Sequence, residues 1–374
     1  MRWSIERIRS ALGHYSSTSS SLSAYYNHNH AAVLFRMFLS RLLYNHGPIF
    51  YNLYNFETKK VGEWRHFLTK NEMLALQAEL NGHSGDVLAT DKLLFFERCF
   101  RCGIPTPPVL GIVTVKESDC LKDVPRLRSA GELYAFLTSH PERRFVLKER
   151  NGSYGANLLS VWTHGGTVCD HAGTVISPDS LWSHCCKDGA EFLIQDHLMP
   201  HPLLKPIMPG LALGTCRILT FLAADGNVDI ADALIKIPVL DNVADNFHQG
   251  DNGNLLGALD LSSGAITRVW GMKNRIPVEV FQHPDTKVDL INRTIPCWQE
   301  MLTLVQRAAR SFNELRTAGW DVALTGGGIV VLESNSRYDL DGHQMVIMKG
   351  MRSRILASFN HVQGKDLTVD TARG

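Results

Sequence analysis

The sequence predicts an α+β protein with antiparallel sheets in more than one subdomain, preceded by a mainly helical N-terminal region. Between Asp91 and about residue 190, segments typical of helices alternate with short β-branched or aliphatic segments typical of strands. The second half is richer in strands, and its clearest helix, over residues 295–315, places its apolar side chains on one stripe. No internal repeat is visible.

The composition is that of a folded protein with sizeable cores. Of the 374 residues, 44% are hydrophobic and 20% are charged, which excludes disorder or a coiled coil for the whole chain. The 38 basic and 37 acidic residues nearly cancel, so no nucleic-acid partner is expected. The sequence has no apolar run long enough for a membrane span, and its eight scattered cysteines favour a reducing, cytoplasmic location.

The first ninety residues divide into two segments of different character. Residues 1–30 are polar and rich in serine, and they are expected to form a flexible lead-in. From Ala31, apolar residues recur every three or four positions with Arg36 and Arg41 between them, which predicts a helix. A basic amphipathic helix can lie on a membrane surface, but packing against the rest of the protein is the favoured interpretation.

Two further helices are expected before the first strand. One extends from about Lys70 to Glu79 and ends before Asn81-Gly82. The other is capped by Asp91, continues through Cys102 and stops at Gly103.

The strongest local signal for chemistry lies near the C-terminus. Two short strands flank a triple-glycine turn, so Asp321 and Glu333 can sit on neighbouring strands facing the same way. Asn335 shares the face of Glu333 because it is two positions further along the strand. Two carboxylates and an amide oxygen are ligands that Mg²⁺ prefers, although a hairpin with solvent-facing polar groups fits the same pattern.

A second signal is an apolar strand that ends in Lys148 and runs into a glycine loop, Gly152-Ser153-Tyr154-Gly155. The lysine can deliver a charge to a phosphate, and the glycines let backbone N–H groups close around phosphate oxygens. The spacing is neither that of a P-loop nor of a dinucleotide fingerprint. An ordinary hairpin with a surface lysine is the alternative.

Two weaker signals come from the middle of the chain. The strand before Gln195 runs into polar residues and can be either a linker contacting a base or a strand leaving a core. Arg217 interrupts an apolar strand and needs an anionic partner, either a phosphate or a protein carboxylate. Cys99 and Cys102 have CxxC spacing, but with no second pair a zinc site is not expected.

Taken in order, these segments resemble the ATP-grasp superfamily, and within it the sugar-transfer-associated ATP-grasp proteins found with polysaccharide-assembly genes. The resemblance covers roughly residues 91–352. The segments that carry it are Asp91-Lys92, Gly103-Ile104-Pro105-Thr106-Pro107, Phe145-Val146-Leu147-Lys148 with its glycine loop, Gln195-Asp196-His197-Leu198 with His201-Pro202, Thr215-Cys216-Arg217-Ile218-Leu219-Thr220, Asp245-Asn246-Phe247, His283-Pro284-Asp285-Thr286, Gly319-Trp320-Asp321 and Glu333-Ser334-Asn335.

The resemblance implies an ATP-grasp fold, in which two α+β subdomains hold ATP between them, and it assigns roles by position. Mg²⁺, as one or two ions that Mn²⁺ can replace, would be held by Asp321, Glu333 and Asn335. Arg217, Lys236 and Asn246 would act at the acceptor or the reacting phosphate. ATP would be bound by Lys92, Lys148, Gly152, Ser153, Tyr154, Gly155, Gln195, Asp196, His197 and Leu198.

Two departures from the family pattern affect the acceptor more than ATP. Lys236 stands where related proteins more often carry arginine, so a bidentate contact would become a point contact. After Asn246 the chain reads His248-Gln249-Gly250-Asp251-Asn252-Gly253 instead of a plain double glycine.

The resemblance implies an ATP- and Mg²⁺-dependent ligase that joins a small-molecule carboxylate to an amine through an acylphosphate, in polysaccharide or natural-product biosynthesis. The alternatives are a phosphotransferase acting on a hydroxyl and a nucleotide-binding subunit without turnover; a dimer is compatible with each. The expected divisions of the chain are a flexible lead-in at 1–30, a helical region at 31–90, an N-terminal ATP-grasp subdomain at 91–190, a C-terminal subdomain at 191–360 and a tail at 361–374.

Overall fold

A computed structural model describes residues 5–116, 120–152, 157–239 and 242–365. Its α-helices are α1 (Ile5–Tyr26), α2 (His30–Tyr44), α3 (Pro48–Leu53), α4 (Lys70–Thr90), α5 (Lys92–Arg101), α6 (Ala130–Thr138), α7 (Pro178–Cys185), α8 (Trp298–Ser311), α9 (Asp341–Ile347) and α10 (Arg352–Val362). Its strands are β1 (Val109–Val113), β2 (Arg126–Leu127), β3 (Arg144–Glu149), β4 (Leu159–His164), β5 (Thr167–Asp170), β6 (Phe192–Asp196), β7 (Cys216–Leu222), β8 (Val228–Ile237), β9 (Leu255–Leu259), β10 (Ile266–Lys273), β11 (Ile276–Glu279), β12 (Thr317–Thr325) and β13 (Gly328–Asn335). Within the described ranges, no helix is long and apolar enough to cross a membrane.

The first sheet has six strands in the order β2-β1-β6-β3-β4-β5, antiparallel except for the β1–β2 pair. Side chains alternate between the two faces of a strand. On β3, Phe145 and Leu147 pack in one core with α6 and α7. Val146 and Lys148 therefore lie on the opposite face, where they line a cleft.

Strand β6 shows that the predicted boundary at residue 190 is wrong. It pairs with β1 and with β3, so the first sheet extends to Asp196. Val109 on β1 is the register partner of Gln195 on β6. Pairing between such distant segments leaves no local trace in the sequence, which is why the boundary was misplaced.

The second sheet has seven antiparallel strands in the order β11-β10-β9-β8-β7-β12-β13. Helix α8 packs on one face, where Trp298 and Met301 share a core with Ile218 and Trp320. Helices α4 and α10 lie on the other face in a core that includes Leu219. The alternation along β7 therefore turns Arg217, like Leu219, away from α8.

Helix α5 also belongs with the second sheet, although the sequence analysis placed residues 91–190 in the first subdomain. The Phe95 ring lies 5.4 Å from the ring of Phe312, and Arg98 donates two hydrogen bonds to the Glu314 carboxylate. The first sheet is thus inserted between α5 and β7.

The expected flexible lead-in is instead helix α1, which packs against α2 and α3. Leu22 and Ser19 are buried, and the Ser19 hydroxyl hydrogen-bonds to the His30 ring at 2.9 Å. Within the helix, Ser17 and Ser19 donate to carbonyl oxygens three positions earlier. These bonds satisfy the serine hydroxyls, so a serine-rich segment that looked unstructured can form a helix.

Helix α4 continues past its predicted end to Thr90, with a kink at Gly82 (φ 60°, ψ −168°). The Asn81 side chain donates to the carbonyls of Thr317 and Ser336 and accepts from the Thr317 N–H. A positive φ suits glycine, and the distant partners of Asn81 hold the chain in place beyond it. The sequence alone showed only a helix-breaking pair.

Several local predictions are confirmed. Asp91 caps α5 by accepting the N–H groups of Leu93 and Leu94. The element that follows β3 is strand β4, which pairs with it, and not a helix. At the C-terminal end, β12 and β13 form the expected hairpin.

Candidate active site

A cleft lies between the two sheets, lined by residues of both and of the segments that join them. Val146, Ser160 and Gln195 contribute from the first sheet, and Leu332 and Asp321 from the second. The apolar part of the lining is Pro107, Val146, Leu158, Leu198, Leu211, Leu213, Val243, Ala244 and Leu332. Apolar walls with a few polar groups are typical of a small-molecule site.

Two buried polar atoms in this lining lack a protein partner. The Gln195 amide donates through Nε2 to the Pro107 carbonyl at 3.0 Å, but its Oε1 has no hydrogen-bond partner within the described ranges. The Ser160 hydroxyl, also buried, has none among those residues either. Because an unpaired buried polar atom is costly, both indicate a polar ligand in the cleft.

The segment from Asp196 to Leu198 leads out of β6 along the same cleft. Its backbone is held in place, because the His197 N–H donates to the Arg144 carbonyl at 3.1 Å. The Asp196 carboxylate accepts two hydrogen bonds of 2.7 Å from Arg143. Asp196 is thus paired within the protein. At the next residue, burial lowers the pKa of the His197 imidazole.

Two lysines reach the cleft where the glycine loop begins. Lys92, at the start of α5, donates to the Gly152 carbonyl. Lys148, at the end of β3, has no ion-pair or hydrogen-bond partner in the part of the chain that the structure describes. Burial lowers the pKa of both ammonium groups. Of the predicted loop residues, Gly152 lines the cleft, whereas Ser153, Tyr154 and Gly155 lie outside the described residues.

Asp321 is the centre of a buried cluster with Arg217 and Lys236. It is the register partner of Arg217 on β7 and of Glu333 on β13. Arg217 donates to both carboxylate oxygens at 2.8 and 2.7 Å, and Lys236 donates to Oδ2 at 2.7 Å. Lys236 also lies 3.6 Å from the Asp245 carboxylate.

The electrostatics of this cluster favour the charged forms. Burial by itself would raise the pKa of Asp321, but Arg217 and Lys236 outweigh it and hold that pKa well below its usual range. Burial also works against the charge on Arg217, yet its pairing with Asp321 raises its pKa. The cluster therefore places fixed charges beside the cleft.

Of the three predicted metal ligands, Glu333 and Asn335 are the two with oxygens available to a metal ion. The Glu333 carboxylate is 40% exposed and lies 3.9 Å from Arg217. Asn335 uses its Nδ2 to reach Glu333 at 3.3 Å and the Gly319 carbonyl at 3.4 Å, which leaves its Oδ1 available. Asp321, in contrast, already accepts from two cations through both oxygens.

The donor set fits a hard divalent cation through Glu333 and Asn335. Asp321 would add a ligand only through its remaining lone pairs. Among the described residues, no three His, Cys, Asp or Glu side chains form a group that could hold a metal ion. A metal here would therefore take much of its coordination from phosphate oxygens and water.

A second cavity adjoins the cleft and shares Lys92, Gly152, Asn246 and Glu333 with it. The rest of its lining is Ala89, Thr90, Phe95, Arg217, Ser334, Asn335, Ser336, Arg337, Tyr338 and Asp339. Most residues that line this cavity are polar or charged, and the shared residues mark where the two spaces meet.

Of the predicted site residues that the structure describes, all but Lys236 line one of the two cavities. Lys92, Lys148, Gln195, Asp196, His197, Leu198, Asn246, Asp321 and Glu333 line the cleft with Gly152, while Arg217 and Asn335 line the second cavity. Lys236 lines neither, because its ammonium group is buried beneath Asp321.

Sequence reasoning missed Asp245 and Thr215, which also line the cleft. The Thr215 hydroxyl donates to the Asp245 carboxylate, and Asp245 lies beside Lys236. Both residues stand in segments that carried the resemblance, but only their neighbours had been assigned roles. An acidic residue directly before Asn246 was the available signal.

Two α+β subdomains, whose sheets face each other across a cleft lined by lysines and carboxylates, form the ATP-grasp fold. The chain belongs to the sugar-transfer associated ATP-grasp family, whose sequence model matches residues 73–361. No curated protein sequence matches it.

Solved structures with a similar chain path include three enzymes. Biotin carboxylase from Campylobacter jejuni is 12% identical, with a TM-score of 0.40 over 75% of this chain and 47% of the other. D-alanyl-alanine synthetase A from Vibrio cholerae is 10% identical, with a TM-score of 0.43 over 74% and 67%. Phosphoribosylamine–glycine ligase from Thermotoga maritima is 11% identical, with a TM-score of 0.42 over 75% and 56%. The chain spans about half the length of the biotin carboxylase, and the family assignment rests on the sequence model.

Proposed function

We propose that the protein is an ATP-dependent ligase that joins a small-molecule carboxylate to an amine. The observation that carries the proposal is the pair of adjoining cavities that meet at Lys92, Asn246 and Glu333. One has apolar walls and unpaired polar atoms suited to a nucleotide base. The other is lined mostly by polar and charged residues and is suited to an acceptor.

The nucleotide would lie in the cleft between the sheets. Its base would pack between apolar side chains of both sheets, with the unpaired Gln195 oxygen accepting from an exocyclic amine. Lys148, which has no partner in the described part of the chain, would bind a phosphate together with Lys92. To donate to a phosphate, Lys92 would give up its hydrogen bond to the Gly152 carbonyl.

The reaction we propose has two steps. A carboxylate oxygen of the first substrate attacks the γ-phosphorus of ATP, the bond to the bridging oxygen breaks, and ADP leaves with that electron pair. The amine of the second substrate then attacks the carbonyl carbon of the acylphosphate, phosphate leaves, and the amine loses a proton to give the amide. Arg217 lines the second cavity, 3.9 Å from the shared residue Glu333, and would stabilise negative charge on the transferred group.

A Mg²⁺ ion would be held by Glu333 and Asn335, next to Asp321. When bound, it would neutralise charge on the phosphate oxygens and help orient them. The Arg217–Asp321–Lys236 cluster would keep the guanidinium group in one orientation, because two carboxylate oxygens fix it. No protein nucleophile is needed for this chemistry.

The test is ATP turnover with Mg²⁺ and pools of amino acids, amino sugars and uronic acids, following ADP, phosphate and the organic product together. ADP and phosphate that appear only when an acid and an amine are both present would support the ligase. A phosphorylated acceptor without free phosphate would replace it with a phosphotransferase. Nucleotide binding without turnover by any pool would favour the binding subunit.

Glu333→Gln is the variant that tests the metal assignment. It removes one charge from the ligand set and keeps the side-chain shape, so turnover should fall by at least about a hundredfold, or 2.7 kcal/mol. Glu279→Gln, which removes a partly buried carboxylate paired with Arg268, is the control and should remain active. Full activity of Glu333→Gln would contradict the assignment.

A further inference from the structure

Helix α2 has two apolar faces, and only one of them is covered by the protein. Val33 and Met37 are completely buried on the inner face. On the opposite side, Phe35, Phe38 and Leu42 are 67%, 48% and 81% exposed. Their spacing of three and four residues places them in one line along the helix, which we term the α2 stripe.

Apolar exposure is concentrated around this stripe. Six of the thirteen exposed large hydrophobic side chains of the described residues lie between positions 25 and 49. Tyr25, Leu43 and Ile49 supply the other three of the six. The Tyr15 ring stacks on Phe38 with centroids 4.6 Å apart, which extends the surface onto α1. Clustered apolar exposure of this kind marks an interaction surface.

The charged residues in the sequence on either side of the α2 stripe are of one sign. The sequence contains no aspartate or glutamate from Arg7 to Phe56, whereas this stretch carries four arginines. Arg41 is exposed on α2 and, among the described residues, donates only to the Asn45 carbonyl at the helix end. The first acidic residue after the stretch, Glu57, is buried and paired with His28 and Arg36.

An apolar stripe with aromatic and leucine side chains, bordered by arginine and without carboxylates, fits an anionic lipid surface. Apolar side chains can enter the acyl boundary while the cations remain among the headgroups. Two copies facing each other would bring like charges together, which disfavours self-association. The stripe also lies outside residues 73–361, which match the family.

We propose that the α2 stripe docks the protein onto anionic phospholipid membranes, with α2 lying parallel to the surface. No part of the chain needs to cross the bilayer for this attachment. The second sheet and its cleft would remain in water, held close to the membrane by the N-terminal helices.

Vesicle flotation of the full-length protein tests the proposal. Vesicles of equal parts phosphatidylcholine and phosphatidylglycerol should carry the protein upward, and added salt should weaken the binding. Vesicles of phosphatidylcholine alone should retain at least about tenfold less of it. Equal retention by both kinds of vesicle, or by neither, would overturn the proposal.

The double variant Phe35→Gln, Leu42→Gln should reduce the ratio of bound to free protein on anionic vesicles by at least about tenfold, because two apolar side chains that would enter the membrane are lost. The matched control is Phe100→Gln, Leu203→Gln, at side chains 81% and 66% exposed elsewhere. It should bind like the wild type. An equal loss of vesicle binding in both double variants would show that binding depends on general surface hydrophobicity. That result would overturn the role of α2.

Light scattering in the absence of lipid tests the other possible partner of the α2 stripe, which is a second copy of the chain. A monomeric wild type agrees with the proposal. A dimer that the Phe35→Gln, Leu42→Gln variant dissociates would assign the stripe to self-association and overturn membrane docking.

Discussion

Three of the four cationic side chains at the active site differ in what holds them. Arg217 and Lys236 both form ion pairs with Asp321, whereas Lys148 has no ion-pair or hydrogen-bond partner within the described ranges. A half-buried cation without a directly bonded carboxylate is costly in the free protein, and a bound anion would relieve that cost. Lys148 is thus the side chain with most to gain from a phosphate.

At another residue, Asp341, burial creates a pH dependence of stability. Burial and the neighbouring Asp339 raise the pKa of its carboxyl group to about 6, and it accepts the Tyr54 hydroxyl at 2.9 Å. An unfolded aspartate has a pKa of about 3.9. The stabilisation from the protonated form is therefore complete below about pH 4 and is lost as the pH rises to about 6.

We predict that Asp341→Asn gains up to about 3 kcal/mol in unfolding free energy relative to the wild type between about pH 4 and pH 7. The amide is already neutral and can still accept the Tyr54 hydroxyl. Urea unfolding at several pH values gives the measurement. The control is Asp260→Asn, since the hydroxyls of Ser262 and Ser263 lower the Asp260 pKa to about 2; its difference from the wild type should stay flat. A parallel pH dependence of Asp341→Asn and wild type would contradict the prediction.

At the scale of elements, Arg150 joins α5 to the first sheet. It donates to both oxygens of Asp91 at 2.9 and 2.6 Å and to Glu191 at 2.9 Å, and its carbonyl accepts the Lys92 N–H at 3.1 Å. Asp91 is also the N-cap of α5. One side chain thereby fixes Lys92 relative to the base of the glycine loop.

We predict that Arg150→Gln weakens ATP binding by about tenfold, because Lys92 and Gly152 lose their shared anchor. Calorimetric titration with Mg²⁺–ATP measures the dissociation constant. Arg268→Gln removes a comparable arginine–glutamate pair, Arg268–Glu279, away from the cleft and should leave binding unchanged. Unaltered affinity in Arg150→Gln would show that the anchor is dispensable.

The elements also show what could be predicted from sequence. The β12–β13 hairpin and the strand after the glycine loop were predicted because turn glycines and apolar strands are local signals. Helix α1 and the second half of α4 were not, since they depend on contacts with His30 and Thr317 that composition does not reveal. The same limit applied to Asp321: the sequence predicted its carboxylate as a metal ligand, but not its pairing with two cations.

At the scale of the whole molecule, the site exists only where the two sheets face each other. Ligand that bridges them should stabilise the folded protein as a unit. We predict that Mg²⁺–ATP at a hundredfold excess over its dissociation constant adds about 2.7 kcal/mol. Scanning calorimetry should show a higher Tm.

The variant Lys148→Met should lose most of that gain at the same ligand concentration, because the cation without a protein partner is removed. Lys116→Met, at an exposed lysine next to Glu191, is the control and should keep the gain. A Tm that rises equally in all three proteins would place the nucleotide away from Lys148.

The insertion of the first sheet between α5 and β7 also sets the order in which the chain can fold during synthesis. Arg98 on α5 bonds to Glu314, 216 positions later, and Asn81 bonds to Thr317, 236 positions later. Residues 109–196 complete their own sheet before any of those partners has been made. Helices α4 and α5 therefore meet these partners only late in synthesis, and the first sheet can become native before the second.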